Sequence, residues 1–106
     1  DFDKIIWSDT LVLVEFFASW CGPCRAMDPT VERFRRMMNR RAEVLRINID
    51  DEQMLPIVRR YRIRTVPTLL LFHRGEERWR RSGITSYEEM VAALEQTEAL
   101  IHATPH

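Results

Sequence analysis

The spacing of apolar and polar residues changes several times along the chain, and each change predicts a new strand or helix. Residues 11–18 (LVLVEFFA) form a nearly continuous apolar run rich in β-branched and aromatic side chains, which is typical of a strand buried on both faces. From Cys21 to about Asn39, apolar residues recur every three or four positions and predict an amphipathic helix. Pro29 lies inside this helix and is expected to kink it, because proline removes a backbone donor while the apolar face continues.

The rest of the chain predicts three more strands and two more helices. A strand (43–49) and a short helix (50–61) precede two strands (67–72 and 77–82) that are joined by a turn. Ser86 and Glu89 have the spacing of a capping box, which marks the start of a last helix. This order predicts an α/β fold in which the first crossover joins parallel strands and the final hairpin is antiparallel.

Length and charge limit the class of protein. One hundred and six residues are enough for one domain with one core, and sixteen basic residues balance sixteen acidic ones. We therefore expect no nucleic-acid partner, and no apolar run is long enough to predict a membrane span. The chain begins at Asp1 without a methionine, so we expect that a preceding segment was removed or that the chain is a module of a longer protein.

Cys21 and Cys24 are the two cysteines of the chain and lie three residues apart. A structural zinc site needs about four thiolate or imidazole ligands, and no second paired motif accompanies them, so we expect no metal. A purely structural disulfide between them would stabilise the fold little, because that effect grows with loop length. Two inert buried thiols would leave the intervening Gly22 and Pro23 unexplained.

A redox-active pair is the interpretation that the predicted fold favours. Cys21 falls where the buried strand ends and the helix begins, beside the unpaired N–H groups of the first helical turn. These groups form the positive end of the helix dipole, which favours the nucleophilic thiolate. Cys24 lies on the same helical face, within reach of Cys21. Pro23 suits the first helical turn, and Gly22 leaves one side of the Cys21 sulfur uncovered. We expect an exposed attacking sulfur at Cys21 and a shielded resolving sulfur at Cys24.

The segment WCGPC (20–24) resembles the active-site pentapeptide of the thioredoxin family. The similarity continues through VEFFASWCGPCRAMDP (14–29), INID (47–50), YRIRTVPTLLLF (61–72), RGE (74–76) and Gly83, covering roughly residues 5–98 in one register. The resemblance implies a thioredoxin fold, with one domain over residues 1–106 and a mixed sheet of about four strands flanked by helices.

The resemblance also implies a thiol–disulfide oxidoreductase that acts as a protein-disulfide reductase. Cys21 would attack a disulfide in a protein substrate, and Cys24 would resolve the mixed disulfide. No cofactor would be bound, and electrons would come from an external donor of the thioredoxin reductase type. We expect a cytoplasmic monomer or module. The alternatives are an extracytoplasmic thiol–disulfide relay and a binding or scaffold module of a larger protein.

The resemblance assigns roles to residues around the two cysteines. Glu15 stands where the family usually has a buried aspartate, so it would move a proton to or from Cys24, with Arg46 as its basic partner. The alternative for Glu15 is a carboxylate at a strand edge that faces solvent. The substrate would bind at Trp20, Thr65, Val66, Pro67 and Gly83, with Pro67 in the cis form, and the active site would be supported by Trp20, Gly22, Pro23 and Arg46. Without the resemblance, a trans proline that opens a strand would be preferred.

The chain departs from the family pattern at both ends and at Arg62. Residues 1–10 are enough for a truncated helical region but not for the edge strand with which the family begins, so we predict an open edge at strand 43–49. Residues 99–106 form a C-terminal extension that lengthens the last helix to about Ile101 or frays. Arg62 stands where glycine is frequent, and a left-handed conformation there would cost on the order of 1 kcal/mol.

Overall fold

A computed structural model of the chain describes residues 1–103, and every predicted strand and helix is present with bounds close to those expected. The elements are α1 (Phe2–Ile6), β1 (Leu11–Phe17), α2 (Gly22–Met37), β2 (Ala42–Asn48), a 3₁₀ turn (Glu52–Met54), α3 (Leu55–Arg60), β3 (Thr68–His73), β4 (Glu76–Ser82) and α4 (Tyr87–Ala103). Within the described range, no helix is long and apolar enough to cross a bilayer.

The four strands form one mixed sheet in the order β2-β1-β3-β4. β1 is parallel to β2 and antiparallel to β3, and β3 and β4 form the antiparallel hairpin. β1 is the first strand along the chain, and β2 lies at one edge of the sheet, as predicted. The parallel register places Glu15 of β1 directly beside Arg46 of β2.

The core is divided by the sheet into two apolar layers. Leu11 and Leu13 of β1 face α2 and α4, where Phe34 and Leu94 are also buried. The alternate residues of β1 face the opposite layer, which contains α1 and α3 residues. Glu15 shares the strand face of Leu11 and Leu13, so its side chain lies in the layer that α2 covers.

The ends of the helices match several expectations. The backbone N–H of Ser86 donates to Glu89 Oε1 and that of Glu89 donates to Ser86 Oγ, both over 3.1 Å, so the predicted capping box is confirmed. Arg62 has a φ of +52°, in the left-handed region. α4 continues past Ile101, and the last part of the C-terminal extension, residues 104–106, lies outside the described residues.

Candidate active site

Cys21 and Cys24 form a disulfide at the N-terminal end of α2. Cys21 is the residue that caps the helix, and its Sγ accepts a hydrogen bond of 3.1 Å from the backbone N–H of Cys24. Pro23 lies in the first turn, where the missing backbone donor costs nothing. A donor aimed at the Cys21 sulfur, together with the helix dipole, stabilises negative charge on that sulfur once the disulfide is reduced.

The expectation of an exposed sulfur at Cys21 was wrong for this oxidised form. Cys21 is 4% exposed and Cys24 is 1% exposed. The cysteines belong to a small apolar cluster that is covered by Phe17, Ile49 and Val66. The carbonyl oxygen of Val66 lies 3.6 Å from Cys21 Sγ, so a segment distant in sequence lies against this sulfur. The space beside Gly22 is open, since no atom lies within 4 Å of the position that a Cβ would take there, but this opening does not expose Cys21.

The predicted substrate-binding residues from the second half of the chain lie together, and Val66 of this group lies against Cys21. The peptide bond between Val66 and Pro67 is cis, which confirms that prediction. The backbone N–H of Gly83 donates to the carbonyl of Pro67 over 2.8 Å, and Gly83 has a φ of +90°. The carbonyl of Thr65 accepts from the Thr68 hydroxyl over 2.8 Å. Their role in binding substrate stays a prediction.

Trp20 supplies an exposed apolar surface next to the disulfide. Trp20 is 66% exposed, and its indole N–H donates to Asp50 Oδ2 over 2.8 Å. Asp50 was not among the predicted site residues. It follows β2, and the carboxyl ends of two parallel strands lie at the same edge of a sheet, which is the signal that would have found it.

A charged network lies beneath the start of α2. Glu15 has no exposed surface, so the alternative of a solvent-facing carboxylate was wrong. Arg46 Nε donates to Glu15 Oε1 over 2.7 Å, and Arg46 Nη2 donates to Asp28 Oδ1 over 2.8 Å. The guanidinium also lies over the ring of Phe17, 4.3 Å from its centroid. Glu15 Oε2 is buried and has no hydrogen-bond partner among the described residues.

Burial raises the pKa of Glu15 above its ordinary value. The hydrogen bond and the positive charge of Arg46 lower that pKa, whereas the negative charges of Asp28 and Glu32 raise it further. A carboxyl with a raised pKa exchanges protons closer to neutral pH than an ordinary glutamate does.

A cavity of about 230 Å³ joins Cys24 to this network. Its lining residues are Phe17, Ala18, Ser19, Cys24, Arg25, Asp28 and Arg46. Asp28 was missed by the sequence analysis, although it follows Cys24 by one helical turn and so lies on the same face of α2. Within residues 1–103, no three His, Cys, Asp or Glu side chains converge in a way that could hold a metal ion.

Comparisons with known proteins agree with this geometry. The profile of the family Thioredoxin matches residues 1–96. The thioredoxin of Rickettsia bellii is 34% identical over 89 residues, which cover 84% of this chain and 83% of that protein. Thioredoxin 1 of Chlorobaculum tepidum is 33% identical over 88 residues, covering 83% and 85% of the two chains. The crystal structure of Malassezia sympodialis thioredoxin superposes with a TM-score of 0.79 at 25% identity, covering 90% of this chain and 81% of that one. With its thioredoxin fold and its redox-active Cys-x-x-Cys pair, the chain belongs to the thioredoxin family of thiol–disulfide oxidoreductases.

Proposed function

We propose that the chain reduces disulfides in proteins by dithiol–disulfide exchange through Cys21 and Cys24. The observation that carries this proposal is the disulfide at the N-terminus of α2, whose Cys21 sulfur lies against the carbonyl of Val66. Membership of the family supports disulfide-containing substrates.

The exchange has two steps that balance in electrons and protons. The thiolate of reduced Cys21 attacks one sulfur of the substrate disulfide, so a bond from Cys21 Sγ forms, the substrate S–S bond breaks, and the departing thiolate takes a proton. Cys24 gives its proton to Glu15, and its thiolate then attacks Cys21 Sγ, which closes the disulfide of the protein and releases the second substrate thiolate. That thiolate takes a proton from water. Two electrons pass from the cysteine pair to the substrate, which leaves as a dithiol.

The substrate binds on the surface formed by Trp20, Thr65, Val66, Pro67 and Gly83. Trp20 offers an exposed indole for apolar contact with the residues that flank a substrate disulfide. An extended substrate segment beside Val66 pairs with its backbone, as in strand addition. The position of Val66 against the Cys21 sulfur supports this arrangement, since a substrate aligned there brings its own sulfur to Cys21.

Glu15 takes the proton of the Cys24 thiol when that cysteine becomes a nucleophile. This role is supported by its complete burial, by its raised pKa and by Oε2, which has no hydrogen-bond partner in the described part of the chain. Arg46 contacts Glu15 and lines the cavity that Cys24 also lines, so the two groups belong to one connected site.

The oxidised pair is returned to the dithiol by an external donor of the thioredoxin reductase type, and the chain itself works without a bound cofactor. We place this cycle in the cytoplasm, where a reducing glutathione pool keeps thiols reduced. These three points rest on the resemblance to the family and stay predictions.

The proposal is tested by reduction of insulin, whose chains precipitate when its disulfides are reduced by dithiothreitol. We expect the wild-type protein to accelerate precipitation and Cys21→Ser to leave only the uncatalysed rate. Cys24→Ser should retain a substrate molecule in a mixed disulfide, detected by mass spectrometry. Capture by Cys21→Ser instead would reverse the two roles, and unchanged rates in both variants would exclude exchange through this pair.

The direction of exchange is tested by an equilibrium redox titration of the pair, followed by tryptophan fluorescence. A reductase should titrate near the value known for thioredoxin, about −270 mV. A value between about −180 and −120 mV, typical of isomerases and strong oxidants, would contradict the proposal and favour disulfide formation.

A further inference from the structure

Arg46 is shared between two carboxylates that differ in exposure. Its Nε bonds to Glu15, which has no exposed surface, and its Nη2 bonds to Asp28, whose side chain is 41% exposed. The side chain of Arg46 is itself 27% exposed. One guanidinium therefore connects the buried carboxyl to a carboxylate at the surface.

The second bond decides where the guanidinium lies. Arginine has a long, flexible side chain, and Arg46 stands on the edge strand β2, where water competes for its donors. Bonds from Nε and Nη2 to two different carboxylates fix the plane of the guanidinium, and contact with the Phe17 ring supports that plane. Without Asp28, the guanidinium keeps only the bond to Glu15 and the contact with Phe17, and water can then compete with Glu15 for its donors.

We propose that Asp28 is a positioning residue for the resolving step, because its hold on Arg46 Nη2 keeps Arg46 Nε on Glu15. The inference rests on the proposed function, in which Glu15 accepts the proton of Cys24. Asp28 also lines the cavity that Cys24 lines, so it belongs to the same site as the cysteine whose proton Glu15 would accept.

Asp28 acts on Glu15 in two opposite ways, and this makes the proposal testable. Its negative charge favours the protonated form of Glu15, whereas its hold on Arg46 favours the ionised form. The other charged group that faces Glu15 from α2 is Glu32, and the β3 neighbour of Glu15 in the sheet is the apolar Leu69. Arg46 bonds directly to Glu15 Oε1 over 2.7 Å, whereas Asp28 bonds to the other side of the guanidinium, so loss of the Arg46 bond should affect the protonation of Glu15 more than loss of the Asp28 charge.

Two variants of Asp28 separate these effects. Asp28→Asn removes the charge and keeps an Oδ1 acceptor for Arg46, so the titration midpoint of Glu15 should move down. Asp28→Ala removes the charge and the acceptor, which releases Arg46, so the midpoint should move up. The measurement is a ¹³C NMR pH titration of the side-chain carboxyls in glutamate-labelled, oxidised protein, in which Cys21 and Cys24 do not titrate. The Glu15 resonance is assigned by its loss in Glu15→Gln.

Glu32→Gln is the matched control, because it removes a nearby charge that is bonded to Arg35. It should move the midpoint of Glu15 down, as Asp28→Asn does. Opposite shifts in the two Asp28 variants support the positioning role. A downward shift in both, or no shift in Asp28→Ala, overturns it, because Asp28 would then act by charge alone or not at all.

The pH profile of insulin reduction separates this inference from the proposed function. If the Glu15 midpoint moves as expected and the pH profile of activity moves with it, the positioning role of Asp28 and the proposed function are both supported. If the midpoint moves and the profile does not, the positioning of Arg46 stands, while the proton transfer assigned to Glu15 fails.

Discussion

Replacing Glu15 with glutamine should change how the stability of the protein depends on pH. In the unfolded chain this carboxyl titrates near its ordinary value of 4.5, whereas burial raises its pKa in the folded protein. Between these two values the folded state still holds a proton that the unfolded state has released, so the free energy of unfolding falls as pH rises. The contribution is fully present below 4.5 and is lost as pH rises through the folded pKa.

One proton sets the magnitude. The slope for a single group cannot exceed 2.303RT, which is about 1.4 kcal/mol per pH unit. Glu15→Gln has no titratable proton at this position. As pH rises above 4.5, the free energy of unfolding of the wild type should therefore fall relative to that of the variant, by no more than this amount per pH unit. Urea denaturation of both oxidised proteins, followed by tryptophan fluorescence from about pH 4 to pH 8, measures the difference.

Glu98→Gln is a control with the opposite sign. In the wild type, the hydrogen bond from Arg41 holds the pKa of Glu98 below its ordinary value. That stability is present above the unfolded pKa and is lost as pH falls through the folded pKa, so Glu98→Gln should differ from wild type most above pH 4.5 and converge with it in acid. A flat difference between wild type and Glu15→Gln would refute the reasoning, since Arg46 would then fully offset the effect of burial.

Three further substitutions test the fold by urea denaturation. Arg62→Gly should stabilise the protein by about 1 kcal/mol, since Arg62 has a φ of +52°, whereas Arg64→Gly, outside that region, should destabilise it; a loss at both positions would argue against the left-handed conformation. Phe34→Ala should cost about 3–5 kcal/mol because Phe34 is fully buried, while Met37→Ala, exposed on the same helix, should change stability by less than about 0.5 kcal/mol; similar costs would contradict the packing of α2. Ser86→Ala should cost about 1 kcal/mol through loss of the cap on α4, and an unchanged unfolding midpoint would show that the cap contributes nothing.

Local patterns were enough to predict the elements of this fold. The apolar run of β1 reflects burial on both faces of the sheet, and the Ser86–Glu89 spacing encodes a cap made by residues three apart. Each of these features depends on neighbours in sequence, so the sequence displays it directly. The position of the cysteine pair at the strand-to-helix junction follows from the same local signals.

Contacts between distant segments could not be predicted in this way. The burial of Cys21 depends on Val66, which is forty-five residues away and approaches only when β3 pairs with β1. The cis bond at Pro67 was expected only from the family resemblance, because spacing carries no information on that isomer. Asp28 was overlooked because its partner Arg46 is brought opposite α2 by the parallel register of β1 and β2.

Under the proposed function, the burial of Glu15 is explained by chemistry and not by stability. Replacing a buried ion pair with apolar residues is often neutral or stabilising, because removing charges from water costs several kcal/mol per ion. Here the cost is increased by Glu15 Oε2, a buried oxygen that has no hydrogen-bond partner within residues 1–103. That oxygen is free to receive a proton, and Arg46 connects its carboxyl to the cavity of Cys24. If Glu15→Gln gains stability relative to wild type at neutral pH and loses rate in disulfide exchange, the carboxyl is retained for proton transfer at the expense of stability. If the variant gains stability at no loss of rate, that explanation fails.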